Sequence, residues 1–137
     1  MRSELHAMNI VGPRYGGLTS ESDREALIEA WLGTEVHLRT GISDARLAEI
    51  VRSDVRSAAD FLGAVMSEVC ALQGAKRWSD CTPENVAYIE LLGSAFPEAR
   101  FLHVIRDGRD VAASMAKRGI ANASARDEGR EIEVSAA

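Results

Sequence analysis

The sequence predicts an α/β fold, a parallel sheet with helices on both faces, standing behind a helical front half. Two observations carry that reading. A nearly continuous apolar run, Phe101-Leu-His-Val-Ile105, lies between Arg100 and Arg106, the pattern of a strand covered on both faces. Segments with helical spacing and cap signals precede it, and another follows at once, so the order is helix, strand, tight turn, helix.

Residues 1–19 contain Gly12, Pro13, Gly16 and Gly17 and read as loop. Ser22 with Glu25 gives a capping-box signal for a helix over about 23–32, with Ala26, Leu27, Ala30 and Trp31 on one face and Gly33 at its close. Gly41 to Ser43 opens a second helix through about 52. Ser57 with Asp60 opens a third, whose stripe is Ala58, Phe61, Leu62, Val65, Val69 and Leu72; Cys70 falls on its buried side and Gly74 ends it. No strand and no repeat is legible in this half.

The back half changes character. Thr82 and Pro83 fit an N-cap with proline at the first helical position, leading a helix through Val86, Ile89, Leu92 and Phe96 until Pro97 stops it. The strand Arg100 to Arg106 comes next. Its helix is capped by Asp107 or Asp110 and buries Val111, Ala112, Met115 and Ala116 before Gly119. Residues 120–137 form a polar, weakly periodic tail that reads as a frayed or partly disordered end.

A length of 137 residues bounds the chain to one domain. Its hydrophobic share of 46% and charged share of 27% are those of an ordinary globular chain. No apolar run approaches the roughly 18 residues that span a bilayer, and the first residues lack the apolar core of a signal peptide, so a cytoplasmic location with no membrane contact is expected. The net charge of −5 argues against a nucleic-acid polymer as partner. Lys76, Arg77, Arg100, Arg106, Arg109, Lys117 and Arg118 gather toward the back half and suit one small anion instead. Cys70 and Cys81 have neither metal-ligand spacing nor a disulfide-rich context, and no metal site is expected.

Arg106 at a strand end and Ser114, about two turns into the next helix, could face one crevice. A guanidinium fork, a hydroxyl and the free N–H groups of a helix start together suit a phosphate. On spacing alone the other reading stays open, in which Arg106 pairs with Asp107 or Asp110 and Ser114 lies on a solvated face.

Two blocks resemble the sulfotransferases that use 3'-phosphoadenosine 5'-phosphosulfate (PAPS), especially their bacterial branch. Arg77-Trp-Ser-Asp-Cys-Thr-Pro83 is similar to that family's Trp-x-Asp/Glu-Lys-Thr-Pro segment. Phe96-Pro-Glu-Ala-Arg-Phe-Leu-His-Val-Ile-Arg-Asp-Gly-Arg-Asp-Val-Ala-Ala-Ser114 is similar, residue after residue, to its Phe-Pro-x-Ala-Arg-Phe…Arg-Asp-Gly-Arg-Asp-Val-x-x-Ser block. The resemblance implies a P-loop-like three-layer fold, here incomplete, with residues 1–119 as a partial sulfotransferase-like domain and 120–137 as the tail. It implies Arg106 and Ser114 as holders of the donor's 3'-phosphate. Arg109 and Asp110 match positions that shape the turn and cap the helix, Thr82 and Pro83 line the active-site side of the sheet, and Trp78 packs. The implied reaction moves a sulfuryl group from PAPS to a hydroxyl or amine on a small-molecule or glycan acceptor, without a metal. The alternative is a catalytically inactive, truncated nucleotide-binding or interaction module.

The sequence departs from the family in three places. The family's glycine-rich loop for the 5'-phosphosulfate has its nearest counterpart in Asn9-Ile-Val-Gly-Pro-Arg-Tyr-Gly-Gly-Leu-Thr19. This is either a degenerate phosphate loop or the connection beyond one; in the second case the first strand is missing, residues 1–119 match an internal slice of the family, and an open sheet edge invites another chain. Cys81 stands where lysine is usual, which removes a cation and leaves a small buried thiol. The catalytic base is unassigned: of His37 and His103 the latter reads as a core residue within the strand, and Asp80 is a candidate that equally caps the next turn.

Overall fold

The computed structural model describes residues 2–3, 5–15, 17–117, 125–127 and 130–132. The chain divides into two compact units, Met1–Ala99 and Arg100–Ala137. In the first unit, β1 (Arg2–Ser3) leads to a π-helical turn over Ala7–Val11 and a short α1 (Gly12–Tyr15). Four helices follow: α2 (Glu21–Trp31), α3 (Glu35–Thr40), α4 (Asp44–Asp54) and α5 (Ala58–Leu72). Then come β2 (Ser79–Asp80), a 3-10 helix over Pro83–Tyr88 and α6 (Ile89–Ala95). The second unit holds α7 (Gly108–Lys117), β3 (Ala125–Asp127) and β4 (Arg130–Ile132).

Side-chain caps set the helix starts. The hydroxyls of Ser20, Thr34, Ser43 and Ser57 accept from the backbone N–H groups of Asp23, His37, Arg46 and Asp60, each removing one orphan donor at an N-terminus. The cap of α2 is thus Ser20 with Asp23, not Ser22 with Glu25. The face turned to the core carries Leu27, Ile28 and Trp31, while Ala26 and Ala30 face solvent. α3 had not been expected. It fits between Gly33 (φ 79°) and Gly41 (φ 74°), two left-handed positions that glycine adopts without a Cβ clash.

α5 is the axis of the core. Phe61, Leu62, Val65, Met66 and Val69 are sealed, and Phe61 meets the Trp31 ring edge-on at a centroid distance of 4.8 Å. α5 packs against α4, α6 and the π-helical turn, while α2 packs on α4. Leu72, expected on the stripe, is exposed because it sits on the last turn. Gly63 faces Phe96 so closely that a Cβ there would lie 3.0 Å from the ring. Phe96 in turn receives Trp78 edge-on at 5.6 Å, the packing role expected of Trp78.

Paired strands are short among the described residues. β1 and β2 run parallel, with Arg2 opposite Ser79 and Ser3 opposite Asp80. β3 and β4 run antiparallel, with Ala125 opposite Ile132. No wider parallel sheet is present among the described residues, and the expected strand over Arg100–Arg106 is an extended segment outside any ladder. Leu102 and Val104 are 91% and 86% exposed. A strand exists only where a neighbour takes its N–H and C=O groups, and no described strand stands beside this one. α7 likewise buries none of Val111, Ala112, Met115 and Ala116 fully. β3 and β4 lie within the stretch 120–137. Gly16, Arg118, Gly119 and the rest of that tail lie outside the described residues.

Candidate functional site

In the second unit, Arg106 immediately precedes the turn into α7. Asp107 caps that helix, its Oδ1 accepting from the Arg109 backbone N–H at 2.9 Å. The Arg109 guanidinium grips the same carboxylate in a fork, Nε to Oδ1 at 3.2 Å and Nη2 to Oδ2 at 2.8 Å. The side-chain fork and the backbone N–H together hold the Asp107 carboxyl below its ordinary range and push Arg109 upward. Asp107 is therefore spent on Arg109. Arg106 has no ion-pair partner among the described residues, so its pairing with Asp107 or Asp110 does not occur. Ser114 lies half-buried on α7, about 9 Å along the helix axis from Gly108 at 1.5 Å per residue. Asp110 falls in the first turn of α7, where its charge suits the helix N-terminus.

In the first unit, the segment after β2 is tied into a polar knot. Asp80 Oδ1 accepts from the Thr82 N–H at 3.3 Å and from the Thr82 hydroxyl at 2.9 Å, and Asp80 Oδ2 accepts from Asn85 Nδ2 at 2.7 Å. Asp80 thereby ties the residue before the 3-10 helix to Asn85 within it, through a local side-chain turn and not through a backbone cap of that helix. Thr82, only 3% exposed, does not cap with its own side chain. Its oxygen instead accepts from the His6 backbone N–H at 3.3 Å. His6 Nδ1 lies 3.6 Å from Glu84 Oε2, and both side chains are partly exposed. Cys81 is half-buried beside this knot.

Residues 9–15 of the glycine-bearing segment do not form a phosphate cradle. Their backbone is wound into the π-helical turn and α1, and the Ile10 and Gly12 N–H groups donate to His6 and Ala7 carbonyls. N–H groups used within a helix do not converge on an anion. An open apolar depression of about 290 Å³ lies nearby, with Met8, Gly12, Pro13, Ala58, Tyr88 and Leu91 in its wall.

The two imidazoles weighed in the sequence stand elsewhere. His37 is 1% exposed, with Nε2 2.9 Å from Asp44 Oδ1, and ties α3 to the start of α4. His103, expected in the core, is exposed because its segment has no sheet around it. His6 was the imidazole that sequence reasoning missed. Its neighbour Glu84 is remote in sequence, and the β1–β2 pairing with the His6–Thr82 hydrogen bond brings the two segments together.

The sulfotransferase family profile matches residues 5–136, nearly the whole chain. The chain belongs to the sulfotransferase family. No curated protein and no solved structure matches it. The chemistry of that family is sulfuryl transfer, and both blocks that carry the resemblance lie within the matched span. Among the described residues no helix is long and apolar enough to cross a membrane, and no three His, Cys, Asp or Glu side chains gather as metal ligands.

Proposed function

We propose that this chain takes PAPS as its sulfuryl donor, holds the donor's 3'-phosphate with Arg106 and Ser114, and acts on a hydroxyl or amine of a small-molecule or glycan acceptor. One observation supports the assignment above the others. The carboxylate next to Arg106 is occupied by Arg109, so Arg106 keeps a permanent charge and an open fork for a phosphate, with the Ser114 hydroxyl as a neutral donor on the following helix. The 3'-phosphate end of the donor thus has fitting residues. The 5' end finds no nest in residues 9–15, whose backbone is helical, and no step is assigned to that segment. Residues 1–119 are taken as the working domain, in the cytoplasm, with the P-loop-like sheet of the family as its intended architecture. The family match over the catalytic blocks favours transfer over a non-catalytic module.

Calorimetry with adenosine 3',5'-bisphosphate tests the clamp. Wild type binds, and Arg106→Ala weakens binding by about 10- to 100-fold, the size of a charge-assisted contact. Equal binding by the two proteins would remove Arg106 from the site. Transfer of radiolabelled sulfate from PAPS to a panel of simple alcohols, phenols and amines then separates an enzyme from a binding module.

A further inference from the structure

Two arginines stand on either side of Asp107, and only one of them engages it. Asp107 is the residue from which α7 starts. Its carbonyl accepts from the Val111 N–H at 3.1 Å, and its Oδ1 accepts from the Arg109 N–H at 2.9 Å, the side-chain turn that aspartate favours at a helix entrance. The carboxylate is therefore anchored to the backbone, and the Arg109 guanidinium closes over it, with Nε to Oδ1 at 3.2 Å and Nη2 to Oδ2 at 2.8 Å. Both side chains are open to solvent, Arg109 at 92% and Asp107 at 46%. Exposed pairs add little to stability, but a two-pronged fork on an anchored carboxylate has a defined geometry, and it cancels a charge at a defined place.

The two carboxylate oxygens are not equally provided for. Oδ1 has the backbone N–H and Arg109 Nε, whereas Oδ2 has Arg109 Nη2 alone. Without the Arg109 guanidinium, Oδ2 has no partner among the described residues, and an uncompensated negative charge stands one residue from Arg106, at a Cα separation of about 3.8 Å. Arg106 is exposed and has no ion-pair partner among the described residues. A bare carboxylate beside it opposes an anion in two ways: it competes for the guanidinium fork, and it repels the incoming phosphate.

We infer that Arg109 is a positioning residue for the donor's 3'-phosphate, which it does not touch: it neutralises Asp107 and so keeps the Arg106 guanidinium for the ligand. This rests on the clamp of Arg106 and Ser114 proposed above. The two arginines of Arg106-Asp-Gly-Arg109 are then not interchangeable. The one before the carboxylate meets the ligand, and the one after it holds the carboxylate away from that task.

Calorimetric titration of the full chain with adenosine 3',5'-bisphosphate, at one salt concentration, compares wild type with Arg109→Gln, Asp107→Asn and the double variant. Asparagine keeps a side-chain oxygen for the Arg109 N–H, so the start of α7 is retained. Arg109→Gln should weaken binding by about 3- to 10-fold, the size of one charge at a solvated site. Asp107→Asn alone should stay within about twofold of wild type, because the charge it removes is already matched. In the Arg109→Gln background the same change should bring binding back to within about twofold of wild type. Wild-type affinity in Arg109→Gln overturns the inference. A double variant as weak as Arg109→Gln overturns it as well, since Arg109 would then touch the phosphate or prop the helix. So does an equal gain from Asp107→Asn in both backgrounds, the mark of charges that act independently. Absence of binding by wild type, or equal binding by Arg106→Ala, removes the clamp and the inference together, whereas a preserved Arg106→Ala effect without coupling between positions 107 and 109 removes the role of Arg109 alone.

Discussion

Helix α5 and the segment Phe101–Ile105 are the two most apolar stretches of the chain, and they meet opposite fates. In α5 Phe61, Leu62, Val65, Met66 and Val69 are sealed in the first unit; in the second unit, Leu102, Val104 and Ile105 stand open to solvent. Composition does not separate them. The difference lies in how each backbone is satisfied. A helix closes its hydrogen bonds within four residues and then needs only one apolar face covered. A strand covered on both faces needs neighbours for its backbone groups and two layers for its side chains. The helical unit meets its requirement from adjacent sequence, and the extended segment does not.

The sharpest way to test that contrast is Phe61→Ala, which empties the centre of the core beneath Trp31 and should cost about 3–5 kcal/mol in urea unfolding. A loss below about 1 kcal/mol would mean that α5 is not the axis of the unit. Ser57→Ala should follow at about 1 kcal/mol, since it leaves the Asp60 N–H at the start of α5 without its cap.

Acid titration probes the surface of the same unit. Arg52 holds the Glu25 carboxyl below its ordinary value through a forked hydrogen bond, and Arg46 does the same to Glu68. A carboxyl depressed in the folded state contributes stability above its unfolded pKa and loses it as pH falls through the folded one. The urea midpoint should therefore fall as pH drops below about 4.5, the unperturbed value, and Glu68→Gln should flatten that decline. The effect is small because these pairs are exposed. Smallest of all is Leu102→Lys, expected to move the midpoint by less than about 0.5 kcal/mol, as for an open surface position. A loss of several kcal/mol would show the segment sealed in solution and erase the contrast.

How far the sequence could be read follows the same divide. The starts of α4 and α5 were legible because Ser43 and Ser57 act on N–H groups three residues away. α3 escaped notice although Gly33, Thr34 and Gly41 frame it; its brevity hid the 3.6-residue period. The strand at Arg100–Arg106 was read from an apolar pattern that describes a demand for neighbours and not their presence. Within the site, Arg106 and Ser114 stood out through a contiguous block. The contact of His6 with Glu84 could not, because no local pattern links positions 6 and 84.

Gly63 carries one consequence further. Glycine inside a helix costs about 1 kcal/mol relative to alanine, yet here it leaves room for the Phe96 ring, which a Cβ would approach at 3.0 Å. Residues 63 and 96 therefore form a thermodynamically coupled pair. Gly63→Ala alone should harm packing, Phe96→Leu alone should leave a gap, and the double variant should recover part of both losses. The phenylalanine that opens the family's signature block is thus held in register by the absence of a side chain on a helix thirty-three residues earlier in the chain.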